Sequence, residues 1–178
     1  FLFISMKNWK QQREKNAYLA LEDGTVYRAW SFGAPVDRLG EVVFNTGMTG
    51  YQEILTDPSY AGQLVTLTAP EIGNTGFNTA DFESSRIHAE GLIVHRCNAP
   101  SNWRAEQSLA DALIASGVPG LAGIDTRALT IRLRNSGTLK GFLCATGSVT
   151  ADEGVSRARA WSGLDNQDYA QKVSTRDA

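Results

Sequence analysis

The residues able to do nucleophilic or metal chemistry are few. The sequence holds two cysteines, Cys97 and Cys144, and two histidines, His88 and His95. Cysteine catalysis needs the sulfur on a strained turn, a base beside it and backbone amides aimed at the oxyanion. Neither cysteine has glycines two residues to each side. Cys144 lies in the apolar run Phe142-Leu143-Cys144-Ala145, where a buried structural thiol is expected. Cys97 follows His95 and Arg96, groups that lower a thiol pKa when they face it. Neighbours along a strand point to opposite faces, so a reactive Cys97 is the minor reading. The cysteines have no zinc spacing and form no disulfide framework. The histidines lack ligand-rich neighbours, so no metal site is expected. Asn74, Gly76 and Asn78 are spaced like a nest of backbone amides for an anion, but no lysine or following helix completes a phosphate loop.

Binding chemistry is better represented. The stretch from Gly40 to Tyr60 opens on Val42-Val43-Phe44, β-forming residues. It then breaks into Asn45, Thr46, Gly47, Thr49 and Gly50, which supply turns and short side-chain hydrogen bonds. Tyr51 to Leu55 reads as one helical turn, stopped at Asp57-Pro58 because the residue before proline avoids the α region. Such a segment pins a loop in a defined shape and positions binding groups. Asn45, Thr46, Thr49, Tyr51, Gln52 and Glu53 are either a polar network at a contact or satisfied turn residues. Ser59 is either a turn serine bonded to its own backbone or a hydroxyl that donates to and accepts from a ligand. Pro58 would stiffen its approach, and Tyr60 would pack beneath it.

The elements that must position this stretch come from the rest of the chain. With 178 residues, 42% apolar and 20% charged, one soluble globular domain is expected. The net charge of −2 shows no basic surplus for nucleic acid. The cluster Lys7, Lys10, Arg13 and Lys15 reads as a solvated tail. Phe1 to Met6 carries too few apolar residues for a membrane span or signal peptide. Met6 is a candidate start, and residues 1–16 are expected as a tail before a domain over 17–178. Reduced thiols without a targeting pattern point to the cytoplasm.

Strands are expected at Tyr18–Leu21 and Thr25–Trp30 around an Asp23-Gly24 hairpin turn, then at Val42–Phe44, Leu64–Thr68, Gly91–His95 and Leu139–Ala145. Gly73 to Asp81 is too polar and glycine-rich for a regular element. Helices are expected over Ser101–Ser116, stopped by Gly117 and Pro119, and over Asp125–Arg134, with Asp125 as N-cap. Arg127 and Arg132 belong to the solvated side of that helix. A third helix starts at the capping box Thr150-Ala151-Asp152-Glu153 and ends near Trp161-Ser162-Gly163. Strands followed by helices predict a mixed α/β fold, a sheet covered by helices without repeated βαβ units.

The stretch Gly40–Tyr60 resembles the N-terminal domain of the small, glutamine-using subunit of carbamoyl-phosphate synthase. Further matching blocks follow in order: Leu21–Thr25, Leu64–Thr68, Ile72–Gly76, Glu83–Ser85, His88–Leu92 and Gly123–Thr130. Gly47 stands where some relatives carry a serine. The resemblance implies a three-layer β/β/α fold of the swivelling-domain type. It implies that Ser59 lies at a cleft between two domains and contacts bound glutamine. Glutamine hydrolysis belongs to a C-terminal glutamine amidotransferase domain with a Gly-x-Cys-x-Gly turn. This chain lacks that turn, so by itself it is expected to be inactive, with no catalytic residue and no cofactor of its own. The implied partner is the large subunit, which binds ATP and magnesium and uses the ammonia with bicarbonate to make carbamoyl phosphate for arginine and pyrimidine synthesis. The alternative is a stand-alone, non-catalytic scaffold or interaction module.

Overall fold

Asp23 and Gly24 turn the chain between β1 (Ala17–Leu21) and β2 (Val26–Gly33), as expected. Asp23 Oδ1 accepts from the Thr25 amide at 2.8 Å, and Leu21 N–H donates to the Thr25 carbonyl at 2.8 Å. The computed structural model describes residues 17–165. The expected tail 1–16 with its basic cluster, and residues 166–178 of the expected domain, lie outside the described residues.

β3 (Arg38–Asn45) leads through α1 (Tyr51–Thr56) and a 3-10 turn (Pro58–Tyr60) into β4 (Gln63–Leu67). β5 (Glu71–Ile72), β6 (Gly91–Val94) and β7 (Arg96–Cys97) follow. Then come α2 (Leu109–Ala115), β8 (Pro119–Ala122), α3 (Thr126–Ser136), β9 (Leu139–Cys144) and α4 (Ala151–Ala160). Seven strands among the described residues close into a barrel in the order β1-β2-β8-β6-β4-β3-β9, with β9 pairing back to β1. One wall, β3-β4-β6-β8, is parallel. The other, β2-β1-β9, is antiparallel and meets the first wall at β8 and β3. β5 and β7 form a separate parallel pair.

Side chains alternate across the walls with the two-residue period of a pleated strand. Leu19, Leu21, Val42, Leu64, Ile93, Leu121 and Leu143 fill the interior, joined by Leu129 and Leu133 of α3. Val65, Leu67, Leu92 and Val94 face outward from the parallel wall and bury α1 and α2 through Leu55, Leu109 and Leu113. Tyr18, Ala20, Phe142 and Cys144 face outward from the antiparallel wall and bury α4 through Val155 and Ala158. Burial pushes the Tyr18 phenol above its ordinary pKa, with Cys144 adding to the effect. Tyr18 therefore stays a donor and gives its proton to the Thr150 carbonyl at 2.7 Å.

Several expectations are corrected. The helix expected from Ser101 begins only at Leu109, where Ser108 Oγ accepts from the Asp111 amide at 3.0 Å. Residues before it are tied to Phe77: Glu106 N–H donates to the Phe77 carbonyl and Phe77 N–H to the Gln107 carbonyl, both at 2.9 Å. Those groups are thereby withdrawn from a helix. The helix ends at Ala115, before Gly117 and Pro119 as expected, and Pro119 also opens the unforeseen strand β8, because a proline is tolerated as the first residue of a strand. Parallel βαβ crossovers also occur, β3-α1-β4 and β6-α2-β8, against the expectation that they would not. The caps Asp125 and Thr150 stand where expected, accepting from Ala128 N–H at 2.9 Å and Glu153 N–H at 3.4 Å.

About eight strands give a barrel interior just wide enough to be filled by side chains, and seven leave less room. Glycines supply the missing space. A Cβ at Gly91 would lie 2.8 Å from Leu143 Cδ1 and 2.9 Å from Leu64 Cδ2. A Cβ at Gly141 would run into Val42 Cγ2, with Leu64 Cδ1 at 3.3 Å and Leu19 Cδ1 at 3.4 Å. Overpacking a filled core costs about 1–3 kcal/mol. Gly141→Ala should lose that much stability in denaturant unfolding. An unchanged midpoint would show slack in the interior and sink the packing argument.

Candidate functional site

The polar stretch leaves the carboxyl end of β3 and re-enters the sheet at β4. α1 has only six residues and no side-chain N-cap, because Gly50, at φ 80°, precedes it. An isolated helix this short is unstable in water, so α1 depends on tertiary partners. Gln52 clasps Asn78 twice, donating from Nε2 to its carbonyl at 2.5 Å and accepting its amide at Oε1 at 3.0 Å. Tyr51 Oη donates to the Gly76 carbonyl at 2.8 Å. Thr56 Oγ1 donates to the Gln52 carbonyl at 2.9 Å and accepts the Glu83 amide at 3.0 Å. His88 N–H closes the far end on the Leu55 carbonyl at 2.9 Å. Tyr51, Gln52, Leu55 and Thr56 are all buried.

Ser59 sits on the rigid turn that follows. Asp57 caps it, its Oδ1 accepting the Ser59 amide at 2.8 Å, with Pro58 at the first helical position. Capping of this kind contributes about 1 kcal/mol. Tyr60 packs against the outer core, and its hydroxyl accepts from Asn45 Nδ2 at 2.9 Å. Asn45 Oδ1 in turn holds the Gly47 amide at 2.7 Å. The Ser59 side chain is exposed and its hydroxyl bonds to no described residue. The backbone amide of Ser59 is thus held by Asp57, and its hydroxyl takes no part in the turn. Burial, with Arg86, pushes His88 below its ordinary pKa against the pull of Asp57.

The remaining candidates separate cleanly. Asn45, Tyr51 and Gln52 belong to the network, whereas Thr46, Gly47 and Thr49 are exposed on its outer loop. Glu53 lines a polar cleft of about 220 Å³ with Thr49, Gln52, Asn78, Asp81 and Arg104. The amides of Gly76 and Asn78 are committed to Gly73 and Gln52, which takes two of the three groups from the anion nest already discounted in the sequence. Burial pushes the Cys97 thiol up to about 12, so it stays protonated at neutral pH. Cys144 is buried. His95 Nδ1 lies 3.1 Å from the Ile124 carbonyl. Among the described residues no group of three or more His, Cys, Asp or Glu side chains is placed to hold a metal ion, and no helix is long and apolar enough to cross a membrane. Arg132 pairs with Asp23 at 2.7 Å and ties α3 to the first hairpin.

Sequence reading missed the Thr56–Ser84–His88 chain. Ser84 Oγ donates to the Thr56 carbonyl at 2.6 Å, and His88 Nε2 lies 2.9 Å from the same oxygen. Because the serine proton is directed to a carbonyl, the imidazole is the donor to Ser84 and not its base. The pair is a brace for α1, and only the clustering of Glu83, Ser84 and His88 hinted at it. Gln52→Ala should strand both backbone groups of Asn78, at about 1–3 kcal/mol for each buried unpaired group. Amide exchange at Asn78 should speed up by at least an order of magnitude. Unchanged exchange there would mean that Gln52 does not hold the loop.

A family model described as "Carbamoyl-phosphate synthase small chain, CPSase domain" matches residues 19–143. The chain is 51% identical over 165 residues to the carbamoyl phosphate synthase small chain of Vibrio cholerae, covering 92% of this chain and 44% of that one. It is 59% identical over 129 residues to that of Fusobacterium nucleatum, covering 72% and 36%. It is 50% identical over 161 residues to that of Thermosynechococcus vestitus, covering 90% and 42%. The chain thus spans less than half the length of the curated relatives it matches. Among solved structures, an aminopeptidase from Aneurinibacillus sp. strain AM-1 matches at TM-score 0.44 and 16% identity over 74% of this chain and 30% of that one, a likeness too low to carry an argument. By the family match and these identities, the chain belongs to the carbamoyl-phosphate synthase small chain family, through its CPSase domain.

Proposed function

We propose that this chain is the N-terminal domain of the small subunit of a glutamine-hydrolysing carbamoyl-phosphate synthase, a carbon–nitrogen ligase. In this reading it docks to the large subunit and closes one side of the glutamine cleft. Glutamine-derived ammonia is then used with bicarbonate and ATP to make carbamoyl phosphate, in the cytoplasm, for arginine and pyrimidine synthesis. ATP and magnesium are assigned to the large subunit. The three-layer β/β/α fold of the swivelling-domain type, implied by the family, belongs to the same proposal.

The observation that carries the reading is the free hydroxyl of Ser59 on a turn fixed from both sides. Asp57 holds its amide and Asn45 holds the neighbouring Tyr60. A hydroxyl so placed donates to a carboxylate or accepts from an ammonium group without losing an internal bond. Cys97 and Cys144 offer no activated nucleophile, so glutamine cleavage is assigned to another part of the full-length protein. The family membership favours this reading over a stand-alone scaffold.

Ser59→Trp in the full-length subunit should lower glutamine-dependent synthesis by about tenfold or more, the equivalent of at least one charge-assisted hydrogen bond. Ammonia-dependent synthesis by the assembled enzyme should stay within about twofold. An equal loss of both activities would refute the role given to Ser59.

A further inference from the structure

Asn45 closes β3, and its side-chain amide is bonded at both ends. Nδ2 donates to the Tyr60 hydroxyl at 2.9 Å, and Oδ1 accepts the Gly47 amide at 2.7 Å. Donor and acceptor sit on one planar group. A turn of that plane therefore moves both bonds together, and a flip would set Nδ2 against the Gly47 N–H. The backbone beneath it is fixed. Asn45 pairs with Leu67 across the parallel ladder, and its carbonyl accepts the Thr68 amide at 3.1 Å. What freedom remains lies in the side chain.

One end of this link reaches Ser59 through the main chain. Tyr60 and Ser59 share the three-residue turn Pro58–Tyr60. The Tyr60 amide donates to the Asp57 carbonyl, and the Ala61 amide to the Pro58 carbonyl, both at 3.1 Å. Asp57 also holds the Ser59 amide. A turn so short and so fully bonded tilts as a unit, so the anchor of the Tyr60 ring sets the aim of Ser59. The other end of the link reaches the surface. Gly47 is exposed and is not among the glycines with positive φ, so its backbone accepts an alanine. A Cβ there would lie 2.9 Å from Asn45 Oδ1, too close to hold without moving Asn45, and 3.3 Å from the Thr49 carbonyl.

We infer that Asn45 and Tyr60 are positioning residues for glutamine, and that the bare position 47 keeps them in register. The inference rests on the glutamine role proposed for Ser59 and adds how that hydroxyl is aimed. The relay runs from the Gly47 amide through Asn45 and Tyr60 to Ser59. Only Ser59 needs to touch the ligand. The relay acts on how well glutamine is held and not on the chemistry that follows. Its signature is therefore a raised KM for glutamine with kcat kept, the mark of lost uniform binding.

The test uses the full-length small subunit assembled with the large one, and reads glutamine-dependent and ammonia-dependent synthesis. Tyr60→Phe removes the bond to Asn45 and keeps the ring. Gly47→Ala displaces Asn45 Oδ1. Each should raise the KM for glutamine about three- to tenfold, the worth of one hydrogen bond. The kcat and the ammonia-dependent rate should move by less than about twofold. In the Tyr60→Phe background, Gly47→Ala should add less than about twofold, because the relay is already cut. An unchanged KM in both variants, with glutamine use by Ser59→Trp impaired, would overturn the relay and leave the role of Ser59 standing. Unimpaired glutamine use by Ser59→Trp would overturn both. Full additivity of the two changes would route the effect of position 47 through Thr49 and overturn the relay. A parallel loss of kcat and ammonia-dependent synthesis, with a lowered unfolding midpoint, would reduce both residues to structural supports and overturn it too.

Discussion

Closure of a seven-stranded barrel is the constraint from which the rest follows. The interior is narrow, and Leu19, Leu64 and Leu143 can meet there only because Gly91 and Gly141 carry no side chain. Once closed, the sheet buries its helices on the outer surface, apart from α3, which caps the interior through Leu129 and Leu133. α1 and α2 take the parallel wall and α4 the antiparallel one. Closure also fixes the height of every loop. Loop 46–50 must leave one end of the parallel wall, and the Asp57–Tyr60 turn must return toward the other.

The polar stretch depends on that frame more than on itself. A six-residue helix without a side-chain cap does not persist alone. It is held by Gln52–Asn78, Tyr51–Gly76, Thr56–Glu83 and Leu55–His88. All four partners lie between residues 76 and 88, a segment with little regular structure of its own. The two irregular regions therefore order each other against the parallel wall. Ser59 inherits its rigidity from this arrangement, and its hydroxyl is left unspent because Asp57 already satisfies the turn.

Local chemistry was legible in the sequence wherever one residue decides the outcome. Asp23-Gly24 announced the hairpin, Asp125 and Thr150 the helix starts, and Asp57-Pro58 the end of α1. What stayed hidden depends on distant partners. β8 has no local signal, because Pro119 and Gly120 are poor strand formers, yet pairing with β2 and β6 makes it a strand. The start of α2 is set by Phe77, thirty residues upstream of Gln107. Ser59 was named through its resemblance to a family and not through its neighbours. Of its two readings, the turn in which the hydroxyl bonds its own backbone is not formed, because the bond to Asp57 uses the amide. The closure of the sheet had no local signal, since nothing in β1 or β9 alone says that they pair.

The most direct measurement is a crystal structure of the full-length subunit with glutamine bound and its hydrolysis blocked. The account predicts Ser59 Oγ within about 3.2 Å of the amino or carboxylate group of the ligand, the reach of a hydrogen bond, with the Asp57–Ser59 and Asn45–Tyr60 bonds unchanged. Glutamine bound with Ser59 still facing solvent would contradict it.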